Sequence, residues 1–67
     1  MMDEIVAAIR MIVRDFDGGN PSTETVTRVA EFYSDSKYTL SQIIAEPGTV
    51  YMLYCFAETV KGFEAGK

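Results

Sequence analysis

Apolar residues recur through the first sixteen positions at the spacing of a helix. Met2, Ile5, Val6, Ile9, Ile12, Val13 and Phe16 fall on one stripe, the i, i+3, i+4, i+7 pattern of an amphipathic helix with one buried side. Asp3 and Glu4 lie in its first turn and Arg10 and Arg14 toward its end, which suits the helix dipole at both termini. Asp17-Gly18-Gly19 then supplies the left-handed and flexible positions that close a helix. Asn20-Pro21-Ser22-Thr23-Glu24 reads as a restart: Asn20 caps, Pro21 takes the first helical position and Glu24 adds negative charge near the amino end. Val26, Val29, Ala30 and Tyr33 make the inward stripe of this second helix, with Phe32 at its margin. Glu24 and Arg28 stand outside it in the favourable i, i+4 order. Its β-branched residues lower intrinsic helix propensity, so it depends on packing more than the first helix does.

A polar break follows at residues 34–37. Thr39 and Gln42 have the spacing of a capping box, and Leu40, Ile43 and Ile44 line one side of a short third helix that Pro47 ends. The densest apolar run, Val50 to Ala57, lies inside the stretch from Pro47 to Phe63. At about 100° per residue, Val50, Met52, Leu53, Phe56, Ala57, Val60 and Phe63 share one broad arc. Tyr51, Tyr54, Glu58 and Lys61 occupy the other. The expectation is a central helix with its oily arc covered by the earlier segments and its tyrosine arc left outside. Gly62 and Gly66 are expected to let its end fray.

The pattern predicts an all-α fold, a small bundle of three to four helices, in a single domain over residues 1–67. The alternative is α+β, with a hairpin of 38–46 and 49–56 around a turn at Glu46-Pro47-Gly48-Thr49. The segment 39–46 does not alternate, and Ala57 to Lys61 continues the helical stripe, so the helical reading is preferred.

Composition narrows the sources of stability. A chain of 67 residues builds one core, and a domain near that size hides only about 60% of the surface its unfolded chain exposes. Cys55 is the only cysteine and there is no histidine, so neither an internal disulfide nor a zinc site is available. Self-association or an efficient core remains, the 48% apolar content allows either, and a homodimer is expected. Cys55, at the edge of the oily arc with no histidine to activate it, reads as a small packed hydrophobe. One unpaired cysteine, an acidic start and no apolar run of about 18 residues fit a soluble, cytoplasmic protein without a signal peptide or membrane span. Six basic against ten acidic residues give a formal charge of −4, which phosphate backbones repel. A helix-turn-helix reading of residues 39–63 fails because no arginine or lysine is offered until Lys61.

Motifs for chemistry are sparse. Asp15-Phe16-Asp17-Gly18-Gly19-Asn20 begins like a calcium loop, but Gly19 replaces an oxygen ligand, Asn20 the turn glycine, and Val26 stands where a bidentate glutamate belongs. Asp35-Ser36 resembles the modified dipeptide of the acyl carrier proteins, whose serine takes a phosphopantetheine arm. That family continues with leucine and an apolar helix, whereas Lys37 and Tyr38 follow here, so the resemblance stops at two residues and carries no function over. Carboxylate pairs such as Glu58 with Glu64 or Asp15 with Asp17 need a pocket to shift their pKa values, and so short a chain leaves little room for one. No catalytic residue, cofactor or metal is therefore assigned, and the expectation is a protein that is not an enzyme.

Surface recognition is what remains. Tyrosine suits interfaces because a rigid ring supplies apolar area and its hydroxyl a directional bond. Tyr51, Tyr54, Glu58 and Lys61 on one arc of the last helix, with Tyr38 in the break and Met11 on the outside of the first helix, are the candidate partner-binding residues. They support a non-catalytic, acidic protein-interaction module, a homodimeric adaptor or regulator that binds a larger protein. The alternative is a phage-type inhibitor of a host restriction or CRISPR system, mimicking nucleic acid through outward acids at Asp3, Glu4, Asp15, Asp17, Glu24, Glu31, Asp35 and Glu46.

Overall fold

The computed structural model describes residues 2–65. Among them there are four helices and no strand: α1 (Met2–Asp17), α2 (Thr23–Asp35), α3 (Leu40–Ala45) and α4 (Pro47–Ala65). The all-α bundle is therefore present, and the hairpin alternative is not: residues 49–56 lie within α4. α1, α2 and α4 pack against one another, and α3 closes one end against α1 and α4.

Each boundary has a local cause. α1 stops where Gly18 takes a φ of +74°, a conformation that needs no Cβ, and its N–H donates to the Arg14 carbonyl at 2.7 Å. α2 starts two residues later than the restart motif implied. Ser22, not Asn20, is the cap, and its hydroxyl accepts from the Thr25 N–H at 3.4 Å. Pro21 lies buried before the cap, while the Asn20 side chain accepts from Arg14 at 3.3 Å.

α2 ends in a Schellman motif. The Tyr38 N–H donates to the Tyr33 carbonyl at 3.0 Å and the Lys37 N–H to that of Ser34 at 3.1 Å, with Lys37 at φ +62° in the position usually given to glycine. The Tyr38 ring meets Tyr33 edge-on at 5.3 Å, the apolar contact that accompanies this motif. The capping box of α3 is complete, the Thr39 N–H donating to Gln42 Oε1 at 2.9 Å and the Gln42 N–H to the Thr39 hydroxyl at 3.2 Å. Only Glu46, outside helical geometry at φ −130° and ψ 70°, separates α3 from α4. Pro47 ends one helix and begins the next, since a first-turn position needs no N–H donor. Gly62 does not end α4, and Gly66 lies outside the described residues.

The core follows the first two stripes closely. Ile5, Ile9 and Val13 of α1 and Val26, Val29, Ala30 and Tyr33 of α2 are buried, with Ile43 of α3 and Val50 and Tyr54 of α4. Met2, Val6, Ile12 and Leu40 pack at the margin. Two residues leave the stripes assigned to them: Phe16 and Ile44 are each about half exposed.

α4 is rotated from its expected setting. Met52, Phe56 and Phe63 are 64%, 67% and 74% exposed, whereas Tyr54 is 9% exposed, and Tyr51, Glu58 and Lys61 are half-buried. Met52, Phe56 and Phe63 of its oily arc face outward and its tyrosine arc packs inward, beside Val50 and the half-buried Leu53, Ala57 and Val60, which stay on the inner face as assigned. Cys55, expected to be packed, is exposed.

Candidate functional site

The reason for this rotation lies at the start of α2. The first N–H groups of a helix lack intrahelical partners, and here α4 joins the cap. The Ser22 N–H donates to the Tyr54 hydroxyl at 2.9 Å, the buried Thr25 hydroxyl donates to the Glu58 carboxylate, and Lys61 Nζ reaches Ser22 Oγ at 3.4 Å and Glu24 at 3.8 Å. Tyr54, Glu58 and Lys61, spaced i, i+4, i+7, thus form one ridge of hydrogen-bonding groups over one turn of α2. A carboxylate and an ammonium normally mark a solvent face. On this helix they mark the packed one, because α2 presents polar groups to them.

Tyr51, one step around the helix, stacks on Phe16 with ring centroids 4.9 Å apart and planes within 9°. The Cys55 side chain, then Asp17, holds its hydroxyl above the ordinary tyrosine range. Of the six residues singled out for partner contact, four are therefore engaged within the chain. Tyr54 is taken into the core, Tyr51 into a stack, and Glu58 and Lys61 into bonds with α2. Tyr38 and Met11 stay exposed, Met11 over a shallow hollow of about 220 Å³ with Ile12 and Ile44.

What α4 gives to solvent, Met52, Phe56 and Phe63, is part of the arc that the apolar pattern assigned to the core. A groove of about 200 Å³ runs between α2 and α4, floored by Val29 and Ala57 and walled by Phe32, Leu53 and Phe56. A second hollow of about 230 Å³, bounded by Tyr33, Tyr38, Gln42 and Glu46, shares Phe32 and Leu53 with the first. The two form a continuous apolar strip from Tyr38 to Phe56, extended along α4 by Met52 and Phe63. Arg28 stands at its edge, bound to Glu64 at 2.9 Å, and that carboxylate raises the guanidinium pKa through the hydrogen bond and its charge.

The strip holds no converging catalytic groups. Among the described residues no set of three or more histidine, cysteine, aspartate or glutamate side chains gathers at one point, and no helix is long and apolar enough to cross a membrane. Burial is the leading cause of the shift at Tyr33, whose hydroxyl is pushed above 10.0 mainly by desolvation. The eight acids of the mimicry reading are all exposed, with Glu24 drawn toward Lys61. Comparison with protein-family models, curated proteins and solved structures finds no match.

Proposed function

We propose that this protein is a non-catalytic interaction module whose contact face is the apolar strip of α2 and α4. The observation that supports it is the exposure of Phe32, Met52, Phe56 and Phe63 on one side of a domain whose core is complete without them. Large aromatic and methionine side chains are the types enriched at protein interfaces. A contiguous exposed patch of several hundred Å² on a small domain marks a place where something binds. Tyr38, at the far end of the strip, belongs to the contact face; Tyr51 and Tyr54 shape it from behind by fixing the rotation of α4.

Photo-cross-linking tests this reading. A benzophenone amino acid replacing Phe56 should give discrete protein adducts in native extract, while the same probe at the exposed Glu31 should give none. Adducts that are absent at 56, or equal at both positions, would overturn it. Salt separates it from acidic mimicry, because screening weakens contacts between exposed charges and leaves apolar burial in place.

A further inference from the structure

Resting on that reading, we infer that the occupant of the strip is a second copy of this chain, packed antiparallel along α4. Thr49, Met52, Phe56, Thr59 and Phe63 are spaced 3, 4, 3, 4, the repeat that keeps one seam of a helix facing a partner helix. At about 100° per residue they fall within roughly 80° of arc, on the opposite side of α4 from Tyr54 and Lys61, so the rest of the domain stands behind the seam. Among the described residues nothing covers it: Met52, Phe56 and Phe63 are, apart from Met11, the most exposed large apolar side chains there.

Charge does not bar a like partner. The flanking positions on α4 are Leu53, Cys55, Val60 and Gly62, so neither the seam nor its α4 borders carry a charge that would select a foreign surface; Arg28 and Glu46 stand farther out along the strip. The nearby charges are satisfied within the chain, Glu64 by Arg28, Lys61 by Glu24 and Glu58 by Thr25. A chain of net charge −4 can approach its own copy there at little electrostatic cost.

Size sets the direction. In an antiparallel pair centred between Ala57 and Glu58, Phe56 lies opposite Thr59 of the second copy and Met52 opposite Phe63, each layer joining a larger side chain to a smaller one. A parallel pair would set Phe56 against Phe56 and Thr59 against Thr59, alternately crowded and void, and would align the two helix dipoles unfavourably. Phe32, Met52, Phe56 and Phe63, each more than half exposed, present on the order of 500 Å². With Leu53 and Val60 at the flanks that approaches the ~800 Å² per partner of a standard stable interface.

Sedimentation of the full chain between about 1 and 200 µM should show a shift from monomer to dimer mass, as mass action requires. Phe56→Glu should remain monomeric throughout with its helical circular dichroism intact. In a Cys55→Ser background, Met52→Cys mixed with Phe63→Cys should form a mixed disulfide, and Met52→Cys alone should form none. A wild-type chain that stays monomeric overturns the second copy while leaving the interaction reading to the photo-adducts. A dimer that survives Phe56→Glu overturns the seam, and self-disulfide formation by Met52→Cys overturns the antiparallel arrangement.

Discussion

Lys37 shows how a single backbone angle carries a testable consequence. A residue with a Cβ in the left-handed region is strained by roughly 1–2 kcal/mol, and Lys37 sits at φ +62° because the Schellman bonds of Tyr38 and Lys37 hold it there. Lys37→Gly should therefore raise stability by about 0.5–1 kcal/mol once the added freedom of the unfolded chain is allowed for, read as a higher urea midpoint with an unchanged slope. At the other end of α2, Thr25→Val removes the donor to the half-buried Glu58 carboxylate while keeping shape. Leaving that acceptor unpaired should lower stability by about 1–3 kcal/mol. Tyr33 adds a pH dependence. Burial raises its folded-state pKa above the 10.0 of the free group, so the folded chain holds this proton more tightly than the unfolded chain. Its contribution is complete below pH 10 and lost as pH rises through the folded value; tyrosinate absorbance should show two rings, Tyr33 and Tyr51, ionising late, with the Tyr33 step accompanying the weakening of the fold.

At the scale of elements, sequence and structure agree where one face of a helix is apolar and the other is not. α1 and α2 have that contrast, and Ile5, Ile9, Val13, Val26, Val29, Ala30 and Tyr33 are all where their stripes put them. The capping box of α3 was equally legible, since Thr39 and Gln42 need only each other. Thr39→Ala should cost about 1 kcal/mol, measurable by thermal unfolding. α4 was legible as a helix but not in its rotation. It is apolar on nearly all sides, and a scale of hydrophobicity then chooses the oilier arc. What decides the rotation is long-range: the Ser22 N–H and the Thr25 hydroxyl are satisfied by Tyr54 and Glu58, thirty-two and thirty-three residues away in sequence, and no local pattern announces that pairing. For the same reason the pattern puts Cys55 inside, where the structure exposes it, and Tyr51 and Tyr54 outside, where the structure engages them within the chain. The one available signal was the i, i+4, i+7 spacing of Tyr54, Glu58 and Lys61, a ridge able to cap a neighbouring helix.

For the whole molecule, the rotation of α4 links stability to recognition. Turning its hydrogen-bonding ridge inward completes the first turn of α2, and the same turn leaves Met52, Phe56 and Phe63 outside, where they make the apolar strip. The two faces should therefore answer differently to truncation. At sub-micromolar protein, below the association range, Tyr54→Ala should lose about 3 kcal/mol or more, as for a large core ring, while Phe56→Ala should stay within about 0.5 kcal/mol of the parent, as for a surface site. Urea unfolding of these two variants side by side is the most direct test of the account. The expected result is that order of effects, and a Phe56→Ala variant more destabilised than Tyr54→Ala would show that α4 is turned the other way.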